Sequence, residues 1–536
     1  MTDHQRRRAI AGITAGVTAL ATLAAVGVIG LTSTASQAST PPAEAARPTA
    51  GALALSPAST DSAATSPQAA AEVGSIDDID NVVLVLADDL DWALFREVPR
   101  LAALQDEGMT FTHQVVADSL CCPSRASILR SQYIHNHLVI SNTSETGGGW
   151  PTFRDSGAEA DCLPVWLQTA GRTTALFGKY LNDYPKGIGT ERTIPPGWSE
   201  WRVPVSRGDS YTGYDYVLNE NGRLKAYGSE PEDFLNDVIT TDAVEFIGSA
   251  PDGFFAMLSV YNPHKPAPVA ARNANTHVDT VAPRTPSYNV RNANEPTWMS
   301  KLKPLTPWKQ AQLDDMWRQR AQSAESVADS VDAVMAELER TGRADRTLVI
   351  VTSDNGYHAG VHGLSNGKRT AFREDTVVPM VMIGPGMTPG ARVDALTATV
   401  DLGPTITELL DAQAPDWTDG RSLVELMTTG QEPGGWRTAV LSESMGRSVP
   451  GDPDYQPQAP PMFSALRTQE WLFVVYRDGE QEMYDLVNDP NEMSNIAASA
   501  DPALIAGLYS QLQAMRACSG ITCRTADSII VPGVVG

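Results

Sequence analysis

Four short polar runs in this chain each follow an apolar segment of strand length. Asp88-Asp89-Leu90-Asp91 follows Asn81–Ala87, and Gly178-Lys179 follows Thr173–Phe177. Asn262-Pro263-His264-Lys265 follows Phe254–Val260, and Ser353-Asp354-Asn355-Gly356 follows Leu348–Thr352. Acids, an amide, a lysine and a histidine delivered at strand ends can bind a hard cation, neutralise an anion and move a proton. A fifth run, Leu120-Cys121-Cys122-Pro123-Ser124-Arg125, sets a cysteine just ahead of a proline suited to the first turn of a helix that Ala126–Arg130 can continue. Cys121 then sits at the positive end of a helix dipole, where an anionic group is favoured. On residue type alone, a half-cystine is the plainer account of Cys121.

These runs need a scaffold that brings strand ends to one rim. Continuous apolar strands alternate with amphipathic helices; in one helix Val327, Val331, Val334, Met335 and Leu338 share a face and Gly342 stands as C-terminal cap. The alternation predicts an α/β fold with a mostly parallel sheet flanked by helices. In such sheets ligands bind outside the carboxyl ends of the strands. After about Glu443 the texture changes. Ala465–Thr468, Trp471–Tyr476 and Glu482–Asp485 read as short strands joined by turns, which predicts a smaller antiparallel C-terminal subdomain.

With 536 residues, of which 42 % are hydrophobic, the chain can bury a large core, and its net charge of −24 excludes non-specific nucleic-acid binding. Arg6, Arg7 and Arg8 precede an uncharged stretch to about Leu31, and Ser36-Gln37-Ala38 resembles a cleavage site. We expect an export signal over residues 1–38, with an uncleaved anchor as the alternative and the arginines compatible with the twin-arginine route. An Ala/Ser/Thr/Pro-rich linker follows over 39–75, then a catalytic domain over 76–442 and the subdomain over 443–536. The protein is therefore expected to be secreted or held in the cell envelope. Five cysteines in an exported chain leave one over. Cys518 with Cys523, and Cys122 with Cys162, make two bridges and leave Cys121 to chemistry.

The Cys-x-Pro-Ser-Arg run resembles the signature of type I sulfatases, in which that first cysteine is oxidised to formylglycine by a dedicated generating enzyme. The resemblance runs from about Asp80 to Asn495 with its elements in the family's order, and implies an alkaline-phosphatase-like fold. It implies that Asp88, Asp89, Asp354 and Asn355, with residue 121, hold a divalent metal. Hard oxygen donors suit Ca2+, or Mg2+. It assigns sulfate handling to Lys179 in Gly-Lys-Tyr, His264 in Asn-Pro-His-Lys-Pro and Lys368 in Asn-Gly-Lys-Arg. Tyr484-Asp485-Leu486 with Asp489-Pro490 and Glu492 resembles the family's C-terminal signature. One hydroxyl of the hydrated aldehyde attacks sulfur while the metal, Lys179 and Lys368 neutralise the sulfate oxygens. Arg125 holds the diol and the ion, and His264, with Lys368, protonates the departing alcohol. The second hydroxyl then loses its proton, sulfate leaves and the aldehyde returns.

The chain departs from the common pattern at Leu181, where many sulfatases carry a histidine two residues after the lysine. Gly178-Lys179-Tyr180-Leu181-Asn182, with His135-Asn136-His137, resembles the N-acetylglucosamine-6-sulfatase branch. The base that regenerates the aldehyde is then unassigned; His135 and His137 are candidates for a catalytic role, with hydrogen bonding inside their loop as the alternative, and His358 and His362 are candidates for lining the pocket, with capping of turns as the alternative. Trp150, Trp198 and Trp201 could stack on a sugar, or pack in the core. The expected substrate is a sulfated carbohydrate, with 6-O-sulfated N-acetylglucosamine as first choice and an aryl sulfate as the alternative. Hydrolysis of phosphate esters or phosphonates, and binding of sulfated glycans without turnover, are the competing functions. No stable partner is inferred.

Overall fold

The computed structural model describes residues 74–533 apart from 188, 206–208 and 453, so the expected export signal, and the linker up to residue 73, lie outside the described residues. Strand β1 (Asn81–Ala87) shows how the architecture arises. Val82, Leu84 and Leu86 enter one apolar core, Val83, Val85 and Ala87 the other, and no residue of the strand faces water. A strand apolar on both faces belongs in the middle of a sheet covered on both sides.

The other strands of that sheet are β2 (Met109–Val115), β3 (Thr173–Gly178), β4 (Glu200–Pro204), β5 (Val217–Glu220), β6 (Arg223–Ala226), β7 (Phe254–Ser259) and β8 (Thr347–Ser353). After a short separate pair, β9 (His358–Ala359) and β10 (Asn366–Gly367), β11 (Val377–Ile383) and β12 (Arg392–Ala398) complete it. The order is β12-β2-β11-β8-β1-β7-β3-β4-β5-β6. It is parallel from β8 through β4; β11 runs against both of its neighbours, and β5 and β6 form an antiparallel edge. The second sheet is antiparallel, β13 (Val440–Ser444), β14 (Phe463–Arg467), β15 (Trp471–Tyr476) and β16 (Gln481–Asp485) in that order. Its inner residues Leu441, Leu466 and Phe473 share a core with Val115, Leu396 and the helix Pro502–Arg516. Both sheets follow the sequence expectation.

Register fixes the rim. Ala87 stands opposite Ser353, Leu86 opposite Ser259, and Gly178 opposite Ser259. The next residues, Asp88, Lys179 and Asp354, therefore leave the sheet at one level. The 35-residue helix Pro307–Thr341, capped by the Thr306 side chain and ended by Gly342 at φ +66°, packs across the β1 side. From it Arg320 reaches Asp91 at 3.2 Å and the Asp89 carbonyl, which braces the loop after β1.

Cys518 and Cys523 are bridged, as expected. Cys122 and Cys162 are not: both are buried free thiols. Each is packed within the same apolar core, and Cys162 Sγ contacts the Glu159 carbonyl at 3.3 Å instead. The sequence left Cys122 and Cys162 as the remaining pair once Cys121 was set aside, and carried nothing about the direction of either side chain.

Candidate active site

Helix Cys121–Arg130 begins at Cys121, with every residue from Cys121 to Leu129 buried. Its first turn is tied down from outside: the Cys122 N–H donates to Asn142 Oδ1 at 3.1 Å, and Ser124 Oγ donates to the Asp354 carbonyl at 2.5 Å. This holds the Cys121 side chain over the β8–β1–β7 rim. Cys121 Sγ lies 3.4 Å from Asp88 Oδ1 and receives the Lys368 ammonium at 2.7 Å. Lys179 Nζ pairs with Asp88 Oδ2 at 2.5 Å, and Lys368 Nζ with Asp89 Oδ1 at 2.6 Å. His264 Nε2 stands 3.7 Å from Asp89 Oδ2.

Arg125 leaves the same helix and is buried between two of the acids, its Nη2 3.9 Å from Asp88 Oδ2. Its Nε donates to Asp354 Oδ2 at 2.7 Å and its Nη1 to Ser259 Oγ at 2.6 Å and to the Lys179 carbonyl at 3.0 Å. It braces three strand ends from beneath. Asp89 adopts φ +68°, a left-handed backbone that non-glycine residues rarely take. That turn aims the Asp89 N–H at Asp354 Oδ1, 3.2 Å away, and its carboxylate into the centre. Such strain is held at functional sites by the structure around them.

The donor set suits a cation. Ligand atoms of Asp88, Asp89, Cys121 and His264 lie within 4.8 Å of one another. Asp89 Oδ2 and Asn355 Oδ1 are buried and have no hydrogen-bond partner among the described residues, an arrangement that costs free energy unless something else meets them. Asn355 Nδ2 donates to Asp89 Oδ1 at 2.6 Å, so its carbonyl oxygen is the end left free. Asp88, Asp89, Asp354 and Asn355 could together hold a divalent ion through oxygen.

Burial, then the neighbouring Asp354, raises the Asp88 carboxyl above its ordinary range. Burial, then Asp88, pushes the Cys121 thiol well up. Burial works against charge on Lys179 and Lys368, but the facing acids outweigh it and both stay firmly protonated. Asp354 is lowered despite burial because Arg125 and the two lysines surround it. The centre is a buried lattice of alternating charge.

One member of that lattice was not anticipated. Asp454, from the loop after β13, accepts from His264 Nε2 at 3.1 Å and Lys368 Nζ at 3.2 Å. Its other oxygen accepts from Asn142 at 2.8 Å and lies 3.6 Å from Cys121 Sγ. These cations, against the effect of burial, hold its carboxyl well below the usual range. Gly451-Asp452-Pro453-Asp454 reads as a surface turn, and no periodicity or motif marks it. Tyr211, equally unmarked, sets its ring 5.2 Å from Lys179 Nζ and 4.6 Å from the His264 ring.

The four candidate histidines do not join this group. His135 pairs with Glu443 at 2.6 Å, His137 Nε2 with Ser127 Oγ at 2.9 Å, His358 with Asp375 at 2.9 Å, and His362 Nδ1 with Asn292 at 2.8 Å. Burial brings His137 and His362 down to about 3. Trp150, Trp198 and Trp201 are buried core residues rather than a sugar platform; Trp150 Nε1 donates to Glu159 and Trp201 Nε1 to Tyr184. With the indole nitrogens of Trp150 and Trp201 partnered, the surface of these two rings is worth more inside than at a rim.

A helix-borne residue 121 flanked by two lysines, a histidine and a carboxylate–amide set is the centre of an esterase for anionic esters. The sulfatase family profile matches residues 80–412, and the profile of the N-sulphoglucosamine sulphohydrolase C-terminal region matches residues 360–517. N-acetylglucosamine-6-sulfatase of Capra hircus is 34 % identical over 481 residues, covering 83 % of this chain and 85 % of that protein. The Homo sapiens protein of the same name is 34 % identical over 490 residues, with 84 % and 87 % covered. In structure, the chain resembles a protein solved in complex with its substrate D-glucosamine-2-N,6-O-disulfate, at TM-score 0.68 and 19 % identity, covering 84 % of this chain and 99 % of that one. It also resembles the phosphonate monoester hydrolase of Agrobacterium radiobacter, at TM-score 0.63 and 20 % identity over 82 % and 95 %. These two likenesses show the fold. The chain belongs to the sulfatase family and is a sulfuric ester hydrolase. Its relatives agree with the branch resemblance carried by Gly178–Asn182.

Proposed function

We propose that the protein releases sulfate from 6-O-sulfated N-acetylglucosamine in glycans, with residue 121 as formylglycine and a divalent cation, Ca2+ before Mg2+, at the oxygen set. The observation that carries this reading is the meeting at Cys121 of Lys368, 2.7 Å away, and the Lys179–Asp88 pair, 3.4 Å from the sulfur through Asp88 Oδ1. Two lysines on either side of one atom suit an ester whose charge grows on non-bridging oxygens as the bond breaks.

The residues divide the work. Asp88, Asp89, Asp354 and Asn355 would hold the ion, which when bound supplies charge neutralisation and acidifies a coordinated hydroxyl. Lys179 and Lys368 bind the sulfate. His264, raised above its ordinary range by Asp88, Asp89 and Asp454 against the effect of burial, carries the proton the leaving alcohol needs. Arg125 positions Asp354 and Asp88. The choice of substrate is supported by the relatives' names and by a primary sulfate's reach into a buried centre while the ring stays outside.

Export by the N-terminal signal, maturation by a formylglycine-generating enzyme, and the division at residues 76–442 and 443–536 belong to the same reading. Catalytic efficiency on N-acetylglucosamine 6-sulfate, its 3-sulfate and galactose 6-sulfate tests the substrate. A clear preference for the first is expected; equal or better turnover of the other two overturns it.

A further inference from the structure

Beside this centre, two adjoining surface cavities of about 500 and 480 Å3 share Met462 and Arg477 as a common wall. The first is lined by Arg447 and Tyr455 from the loop that follows β13, and the second adds Tyr509 and Arg516 from the helix Pro502–Arg516. The track begins next to the catalytic centre. Tyr455 directly follows Asp454, and Gln456, also in the first cavity, packs its side chain onto Gly367, the residue before Lys368. Two residues of chain span at most about 7 Å.

The lining of the track carries three arginines and one acid. Several buried arginines are tied to an acid, Arg125 to Asp354 at 2.7 Å, Arg437 to Asp401 at 2.6 Å and Arg467 to Glu492 at 2.7 Å. Arg447, Arg477 and Arg516 come from three different elements and are exposed, and among the described residues their side chains make no hydrogen bond or ion pair. The acid in the lining, Asp478, accepts from the Glu480 N–H at 3.2 Å and pairs with none of them. In a chain of net charge −24, three free guanidinium groups converging on one groove form a local positive field. Tyr455 and Tyr509 are 40 % and 41 % exposed, rings with an apolar face and a polar tip.

We propose that this track is a subsite for the sugar next to the one that is desulfated, and that it takes an anionic sugar bearing a carboxylate or a sulfate. Arg447 and Arg477 bind the charge, Tyr455 packs against the ring, and Arg516 with Tyr509 serves the following unit. The proposal rests on the reading of the centre given above and names the kind of chain it acts on: a polyanionic glycan rather than a free monosaccharide. Guanidinium forks suit both anions because each offers paired oxygens.

The test uses the double variant Arg447→Gln/Arg477→Gln in the full chain, with two readouts. The first is kcat/KM on N-acetylglucosamine 6-sulfate and on tetrasaccharides ending in that unit, whose neighbouring sugar is a uronic acid, a sulfated hexose or a neutral hexose. The second is the Kd of the same tetrasaccharides for protein carrying Cys121→Ala, with and without the two arginine changes. Anionic neighbours should improve wild-type kcat/KM and Kd by about tenfold, and the double variant should lose that gain while the monosaccharide changes less than twofold. A gain limited to the uronic acid or to the sulfated hexose identifies the anion and supports the subsite. An unchanged Kd in the double variant, or an equal loss on the monosaccharide, overturns it. Failure of the wild-type enzyme to cleave N-acetylglucosamine 6-sulfate defeats the reading of the centre instead, and the Kd comparison still decides the subsite.

Discussion

Lys368 and Cys121, 247 residues apart in sequence, meet at 2.7 Å in a buried centre. The lysine reaches that point from beyond strand β10 while also pairing with Asp89 and Asp454, so one ammonium links the nucleophile position to two acids. Replacing Lys368 by Ala removes one of the two cations facing the sulfate. The kcat/KM should fall by roughly 100- to 1,000-fold, the range found when one donor to developing charge is lost. Steady-state kinetics on N-acetylglucosamine 6-sulfate measures it; a loss below tenfold would remove Lys368 from the chemistry.

Asp354→Asn should abolish most activity and also weaken the fold. The Asp354 carboxylate is the partner of the buried Arg125 at 2.7 Å, and leaving that guanidinium uncompensated costs about 3–5 kcal/mol. Thermal unfolding with metal analysis of the purified protein separates the two effects: the variant should lose bound divalent ion and several degrees of melting temperature. Full metal content at wild-type stoichiometry would show that Asp354 is not a ligand.

The cysteines give a count. Cys122 and Cys162 are free and buried, and the Cys122 thiol is pushed up to about 12 by burial. The folded protein should therefore react with a thiol reagent only after unfolding. Without reduction it should then show two thiols if residue 121 is formylglycine and three if it is cysteine. Mass spectrometry of the Leu120–Arg125 peptide provides the independent check. The Cys518–Cys523 bridge closes a loop five residues long, and its reduction should cost about 2 kcal/mol.

Glu482 makes stability depend on pH. Burial raises its carboxyl to about 7 although Tyr476 and Tyr484 donate to it at 2.6 and 2.7 Å. The folded state thus binds a proton that the unfolded chain releases near 4.5. Its contribution is complete below about pH 4.5 and is lost as pH rises through about 7. The loss amounts to at most about 3 kcal/mol. Denaturant unfolding between pH 5 and 8 should show this decline in the wild type and a flatter profile in Glu482→Gln. Parallel profiles would assign the dependence elsewhere.

The sequence by itself determined what is local. The apolar run Asn81–Ala87 became a strand buried on both faces, and the polar residues after β1, β3, β7 and β8 reached one rim, because a strand end and its next residue cannot be far apart. The bridge between Cys518 and Cys523 was legible for the same reason. Only the tertiary structure decided what depends on distant chain segments. Asp454 enters the centre from a loop with no motif, held there by Lys368, His264 and Asn142. Arg125 ties Asp354 to the ends of two neighbouring strands, and Cys122 and Cys162 remain unpaired in the core. The tryptophans that could have met a sugar went inside, where large rings bury the most surface, and exposed arginines brought together by the second sheet and the last long helix line the groove instead. Side-chain direction and long-range pairing are set by which surfaces pack together, and a chain read residue by residue carries no record of that.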